Sequence, residues 1–213
     1  MKRRRERNAV LDRIDRPGAA AGGSVSSMHA LVVCAHLRSD SLTAATAART
    51  RDRLIADGYT VDLLDLYAEG FDPVLLPDDE PDWTDPAKEY SAGVRAHMSR
   101  VAAADLIVVV FPVWWFGLPA MAKGWVDRVW NRGFAYEPSI LQGKRMLWVG
   151  LAGGSATYYA ENGFDRAIDL QLRVGISQFC GIADASVHLI YDTLAKPHLA
   201  GVDEAVSSAT LAA

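Results

Sequence analysis

From residue 29 onward, short runs of apolar residues alternate with longer segments in which apolar positions recur every three or four residues. Short apolar runs are typical of strands buried on both faces of a parallel sheet, and the longer spacing is typical of amphipathic helices. The pattern predicts strands at 29–34, 59–66, 106–111, 145–150 and 183–190 and helices at 42–57, 87–104, 118–130 and 165–179. This alternation predicts one doubly wound α/β domain.

The first 27 residues differ from the rest of the chain. Residues 1–16 hold seven cationic and three acidic side chains, and proline, glycine, alanine and serine dominate the stretch that follows. Such a composition buries too little apolar surface to offset the entropy of folding. We therefore expect residues 1–27 to form a disordered basic tail and residues 28–213 to form the folded domain.

The charge balance and the cysteine count exclude several classes of protein. The chain has a net charge of −4, and its first sixteen residues carry +4, which leaves −8 on the remainder. An acidic body disfavours nucleic acid and anionic membranes as partners. No apolar run approaches the ~20 residues that span a bilayer, so membrane insertion is not expected. Two cysteines are too few for a disulfide framework or a metal cluster, and we predict a cytoplasmic protein without a metal site.

Ligands of doubly wound sheets bind beyond the carboxyl ends of the strands, and three unusual loops follow such ends. The first loop, 35–43, combines a strand end, a hydroxyl-rich turn and the start of a helix, which together suit a phosphate group. It lacks both the GxGxxG and the GxxxxGK[ST] patterns, so a nicotinamide Rossmann fold and ATP hydrolysis are disfavoured. Ordinary helix capping by Ser41 or Asp40 is the alternative explanation of the same residues.

The second loop, 112–118, carries three consecutive aromatic residues, Trp114 to Phe116. Three successive aromatic side chains at a strand end cannot all enter the core, so at least one should be exposed where a planar ligand could stack on it. Backbone N–H groups of the loop could also donate to a ring nitrogen or carbonyl. Packing at a sheet edge or a dimer contact remains the alternative.

The third loop, 151–164, begins with the glycine pair Gly153 and Gly154 directly after a strand. Glycine allows the backbone to approach a flat ring closely. The hydroxyl of Tyr159 could donate a hydrogen bond to a substrate or to a ring oxygen. A flexible surface loop without chemistry is the alternative.

The segment Phe111–Tyr136, FPVWWFGLPAMAKGWVDRVWNRGFAY, resembles the quinone reductase family of flavodoxin-like enzymes. Shorter matches support the resemblance, namely AH at 35–36, DLY at 65–67, GGS at 153–155 and FCG at 179–181. It covers roughly residues 29–191. The resemblance implies a flavodoxin-like five-stranded parallel sheet in the order 2-1-3-4-5, with helices on both faces.

The resemblance also implies a function: a flavin-dependent two-electron reductase. NADH or NADPH would reduce a bound flavin and leave, and a quinone-like acceptor would then take the place of the nucleotide in a ping-pong cycle. FAD is favoured over FMN as the flavin. Two subunits of a homodimer would build the pocket. The surplus of aromatic residues, Trp114, Trp125, Trp130, Phe134 and Tyr136, also predicts a dimer interface.

Site residues follow from the resemblance by position. The flavin phosphate side would contact His36, Ser41, Leu42 and Thr43, and the isoalloxazine would contact Pro112, Val113, Trp114, Trp115, Phe116, Gly153 and Gly154. The catalytic candidates are Tyr159, over the reacting face, and Asp165, which stands where mammalian members have a histidine. We expect Asp165 to be a helix N-cap instead. Thr43 replaces a usual asparagine, and the resemblance fades after Tyr191.

Other functions remain open from the sequence. An ancillary regulatory subunit of a potassium-efflux system has the same fold without turnover. An electron-carrier flavodoxin would have a glycine in the first loop, which this chain lacks. Within the enzyme class, reduction of azo or nitro compounds and a tailoring step in a biosynthetic pathway are compatible with the same residues.

Overall fold

The computed structural model describes residues 27–85, 87–195 and 201–210. Five parallel strands form one sheet in the order β2-β1-β3-β4-β5. The strands are β1 His29–Cys34, β2 Thr60–Asp65, β3 Leu106–Pro112, β4 Arg145–Leu151 and β5 Asp184–Ile190. The predicted flavodoxin-like order is confirmed. All but the last residue of the predicted disordered tail lie outside the described residues.

Helices cover both faces of the sheet, as predicted. They are α1 Leu42–Ala56, α2 Ala92–Ala103, α3 Ala120–Val129, α4 Ala156–Asn162, α5 Phe164–Asp169, a π-helix Leu170–Gln178 and α6 Val202–Thr210, with a short 3₁₀ turn Pro77–Asp79. Alternate residues of β1 and β3 point to opposite faces. Val33 and Val109 pack in the core with α2, α3 and α5, and Val32 and Val108 pack in the core with α1 and α6. No helix in the described part of the chain is long and apolar enough to cross a membrane.

Two predicted helices have different bounds in the structure. The helix expected at 87–104 begins only at Ala92, because the Ser91 side chain caps it by accepting the Val94 N–H. The helix expected from Asp165 instead begins at Phe164, and Gly163, with φ 72°, is its N-cap. The prediction that Asp165 is the N-cap is therefore wrong, since the left-handed conformation at this helix junction favours glycine.

Fewer of the five aromatic residues lie outside the core than the sequence suggested. Trp125, Trp130 and Phe134 are buried in the core of the chain itself. Only Trp114 is strongly exposed among the five residues, and Tyr136 is partly buried. The inference that these aromatics need a partner surface is therefore wrong for three of them, because the α3 face and the segment after it fill the space against β4.

Candidate active site

The three loops meet at one edge of the sheet. They follow β1, β3 and β4, which are neighbours, and Cys34 pairs with Val110 while Pro112 pairs with Leu151 near the strand ends. The strand order reverses between β1 and β3, the position where a flavodoxin-like sheet forms its ligand crevice. The topology therefore places the loops around one crevice.

The first loop presents the amino end of α1. The Ser41 hydroxyl oxygen accepts the N–H of Ala44 at 3.1 Å, so the N–H groups of Leu42 and Thr43 point out of the helix end. Thr43 is 3% exposed, and its hydroxyl has no hydrogen-bond partner among the described residues and is not among their enclosed polar atoms. His36 Nδ1 accepts the Arg38 N–H at 3.1 Å, which leaves Nε2 as the donor of the neutral ring. This arrangement suits an anion.

The second loop is a strained two-residue hairpin turn. The Gly117 N–H donates to the Trp114 carbonyl at 3.1 Å, and the Trp114 N–H donates to the Gly117 carbonyl at 3.3 Å. The two residues between them, Trp115 and Phe116, have φ values of 51° and 58°. Left-handed conformations of non-glycine residues cost about 1–3 kcal/mol each and cluster at functional sites. The Trp115 side chain is 97% exposed.

The backbone donors of this turn are fewer than the sequence suggested. The Val113 N–H donates to the Leu151 carbonyl at 2.8 Å, and the Trp114 N–H closes the hairpin. Pro112 has no N–H to offer. Among the described residues, Trp115 and Phe116 at the apex therefore keep their N–H groups available for a ligand.

Aromatic contacts join the turn to both neighbouring loops. The rings of His36 and Trp114 lie 6.0 Å apart, centroid to centroid, at 62°. On the other side Phe116 stacks on Phe164 at 3.7 Å and 13°, and it meets the edge of Tyr159 at 5.7 Å. The turn therefore connects the first loop to the third.

Close packing explains the paired glycines of the third loop. A Cβ at Gly154 would lie 3.2 Å from Cε2 of Tyr159, and a Cβ at Gly153 would lie 2.7 Å from Cδ1 of Leu194. A side chain at Gly153 would therefore have to displace Leu194. Half of the predicted third loop is in fact α4, because the Ser155 side chain accepts the Tyr158 N–H and starts the helix.

A segment after β5 also borders the site, and sequence reasoning missed it. The Asp192 N–H donates to the Gly154 carbonyl at 3.0 Å, and the Thr193 N–H donates to the Ala152 carbonyl at 3.1 Å. These bonds hold the exposed Leu194 against Gly153. The segment carries no motif; its one signal in the sequence is that it follows another strand of the same parallel sheet.

The two catalytic candidates occupy different environments. Tyr159 lies in α4 with 3% of the side chain exposed, and burial raises its pKa. Its hydroxyl has no hydrogen-bond partner among the described residues and is not among their enclosed polar atoms, so it reaches the surface. Asp165 lies in the first turn of α5, partly exposed, where its carboxylate accepts the Arg166 N–H at 2.8 Å.

Sheet order, crevice and loops together define a flavodoxin-like α/β protein, and residues 28–210 match the flavodoxin-like fold family. The chain is 40% identical to the NAD(P)H oxidoreductase YcaK of Escherichia coli K12 over 164 residues, 76% of this chain and 83% of that protein. It is 32% identical to human ribosyldihydronicotinamide dehydrogenase [quinone] over 175 residues, 71% of this chain and 76% of that protein. The chain therefore belongs to the NAD(P)H:quinone oxidoreductase family.

Solved structures agree with this fold. An NAD(P)H:quinone oxidoreductase from Methanothermobacter marburgensis superposes with a TM-score of 0.75 at 21% identity. The superposition covers 88% of this chain and 94% of that one. At this level of identity the likeness supports the fold.

Proposed function

We propose that this protein is a flavin-dependent two-electron reductase that passes hydride from NADH or NADPH, through bound flavin, to a quinone-like acceptor. The observation that carries the proposal is the strained turn Trp114–Gly117 beside the β1/β3 crevice. Its apex offers an exposed ring and two free N–H groups, which suit the face and the polar edge of a flat heterocycle. The family relationship supports the same activity.

The residues around the crevice fit a flavin. The amino end of α1, with Leu42 and Thr43, would hold the phosphate, and His36 would donate from Nε2. The N–H groups of Trp115 and Phe116 would bind the ring edge, and Gly153 and Gly154, which leave room for Leu194 and Tyr159, would border the opposite side. When bound, flavin supplies the hydride chemistry. We propose FAD, which the resembling family members use, with FMN as the alternative.

Tyr159 and Asp165 would have separate roles. A neutral phenol donates a hydrogen bond to an oxygen on which negative charge develops, and such a donor lowers the barrier. A tyrosine hydroxyl is protonated at neutral pH, and burial raises the Tyr159 pKa further. Asp165 cannot supply a cation, and its carboxylate is engaged by the Arg166 N–H. We therefore propose Tyr159 as the donor and no proton transfer by Asp165.

We further propose a homodimer that shares the pocket. Phe179 is 66% exposed, and its ring lies 5.6 Å from that of Tyr136, which in turn lies 6.3 Å from the exposed Trp83. The Arg132 guanidinium lies over the Trp83 ring at 5.0 Å. Exposed aromatic groups with an arginine are typical of protein interfaces. Light scattering at micromolar concentration should give twice the chain mass, and an active monomer would refute this part.

The central experiment is the visible spectrum of the purified protein followed by anaerobic titration with NADH and with NADPH. We expect a yellow protein that either nucleotide bleaches. Heat-released cofactor separated by chromatography distinguishes FAD from FMN. A colourless protein that takes up neither flavin would overturn the proposal. A protein that is reduced but passes electrons to no quinone, azo or nitro compound would favour the regulatory-subunit alternative.

A further inference from the structure

Four aromatic rings enclose the ring of Tyr159. Tyr191 meets it at 5.3 Å and 71°, closer than Phe116 at 5.7 Å, Phe164 at 6.0 Å and Tyr158 at 6.4 Å. All four contacts are edge-to-face, the arrangement that aromatic pairs prefer. Such a box fixes the direction in which the Tyr159 hydroxyl points.

Backbone hydrogen bonds on both sides anchor Tyr191 in this box. The Ala152 N–H donates to the Ile190 carbonyl at 2.7 Å, and the Asp192 N–H donates to the Gly154 carbonyl at 3.0 Å. These two bonds flank Tyr191 and fix its backbone to the segment after β4. Phe116, in contrast, belongs to the strained turn, and Tyr158 is largely exposed.

The surroundings raise the pKa of the Tyr191 phenol. Burial raises its pKa, and the charge of Asp165 on α5 and the neighbouring Tyr159 on α4 raise it further. Neither the Tyr159 hydroxyl nor the Tyr191 hydroxyl has a hydrogen-bond partner in the described part of the chain. The contact that joins the two residues is therefore between their rings.

We propose that Tyr191 is a positioning residue, whose ring packs edge-to-face with the Tyr159 ring so that the Tyr159 hydroxyl stays directed at the ligand. This proposal rests on the proposed function, because the proposed function identifies the ligand of the Tyr159 hydroxyl as a flavin. The Tyr191 ring positions Tyr159, and the Tyr191 hydroxyl takes no part. Tyr191→Phe should therefore be nearly silent, whereas Tyr191→Leu should disturb Tyr159.

The first test needs no flavin turnover. In the full chain with ring-labelled tyrosine, NMR follows the titration of the Tyr159 phenol, whose signal is the one that Tyr159→Phe removes. In Tyr191→Leu water enters the box, and we expect the Tyr159 pKa to fall toward that of an ordinary tyrosine. It should not move in Tyr191→Phe or in the control Tyr59→Leu, since Tyr59 contacts Arg145 at the opposite end of the sheet. An unchanged Tyr159 signal in Tyr191→Leu would overturn the proposal.

The second test is a double-mutant cycle on flavin reduction. Tyr191→Leu should slow reduction by about tenfold, the loss expected when one hydrogen-bond donor is misplaced, and Tyr191→Phe should stay within about twofold. In the Tyr159→Phe background Tyr191→Leu should add nothing, because the hydroxyl it positions is gone. Additive losses would refute the positioning role. Tyr191→Met replaces the leucine variant if that one does not fold.

The two proposals fail in different ways. A wild-type protein that binds no flavin, or that NAD(P)H does not reduce, refutes the proposed function and with it the role of Tyr191 toward a flavin. A wild-type protein that is reduced normally, with Tyr191→Leu equally fast and its Tyr159 titration unchanged, refutes only the role of Tyr191.

Discussion

Two pairs of tryptophans lie about ten residues apart in the same segment and have opposite environments. Trp114 and Trp115 are 41% and 97% exposed, whereas Trp125 and Trp130 are 0% and 5% exposed. The first pair lies in a turn whose apex residues have positive φ values. The second pair lies on α3 and at its end, facing β4.

The comparison shows that backbone conformation, more than residue type, decides which aromatics are available to a ligand. An α-helix repeats every 3.6 residues, so Trp125 points inward with Met121 and Val129. A two-residue turn with both apex residues left-handed directs the Trp115 side chain away from the sheet. The buried pair should therefore determine stability, and the exposed turn should determine chemistry.

The largest effect is expected from the buried pair. Trp125→Ala removes a fully buried ring and leaves a cavity, which should lower the free energy of unfolding by about 3–5 kcal/mol. The matched variant Trp115→Ala should change it by less than about 0.5 kcal/mol. Urea unfolding of both variants measures the difference. Equal losses would contradict the division between the two pairs.

The next largest effect is expected from the ion pair between α3 and the 3₁₀ turn Pro77–Asp79. Arg128 donates to buried Asp79 at 2.6 Å, and although burial opposes ionisation, hydrogen bonds from Arg128 and Ser91 lower the Asp79 pKa. Arg128→Met leaves this carboxylate unpaired and should cost about 3 kcal/mol at pH 7.

The acid dependence of that cost gives a second measurement. Because the Asp79 pKa is lowered in the folded protein, its contribution is present above the ordinary pKa of about 4 and is lost as the pH falls below it. In Arg128→Met the hydrogen bond and charge of Arg128 are lost while the Ser91 hydrogen bonds remain, so the Asp79 pKa should rise and the deficit in unfolding free energy relative to wild type should shrink toward acid pH. A deficit that stays constant from pH 7 down to about pH 2 would contradict this assignment.

The third prediction tests the chemistry proposed for Tyr159, whose ring contacts Phe116 of the exposed turn. Tyr159→Phe should slow flavin reduction by about tenfold to a hundredfold, equivalent to ~1.4–2.7 kcal/mol, because one donor is lost. Asp165→Asn should leave the rate nearly unchanged, since its carboxylate is held by the Arg166 N–H. Stopped-flow reduction of both variants gives the answer. Abolished reduction in Asp165→Asn with a silent Tyr159→Phe would reverse the two roles.

The smallest effect is expected on the free energy of unfolding, from relief of backbone strain in the turn Trp114–Gly117. Trp115→Gly should raise the free energy of unfolding by about 1 kcal/mol relative to Trp115→Ala, because glycine adopts a φ of 51° without steric cost while alanine does not. The same glycine variant should bind flavin more weakly, since the exposed ring is lost. If glycine is the less stable of the two, the turn is not strained.

The strands could be predicted to within about one residue because continuous apolar runs between turn residues are distinctive. The meeting of the three loops at one edge of the sheet could be predicted as well, since parallel strands end at the same edge. The π-helix could not. There the Ser177 hydroxyl donates to the Leu172 carbonyl at 2.8 Å and accepts from Trp148 Nε1 at 2.9 Å. This is a tertiary contact without a local signal.

Other features could not be predicted either, because they depend on tertiary contacts that leave no local signal in the sequence. Positive φ values at Trp115 and Phe116 contradict local preference, which reserves such conformations for glycine and asparagine. The contact of Tyr191 with Tyr159 joins residues 32 positions apart through the ends of two strands. The helix α6 was missed too, although Asp203 at its start bonds Arg49 on α1.

The exposed position at the apex of the turn has a consequence for how this enzyme could change its preference for acceptors. Residues other than glycine and asparagine have a similar backbone cost at position 115, and Trp115 is almost fully exposed. Substitutions there are uncoupled from folding. A library that varies this one codon could therefore alter the shape of the ligand pocket in many ways while nearly every variant still folds, which makes position 115 a natural starting point for directed evolution.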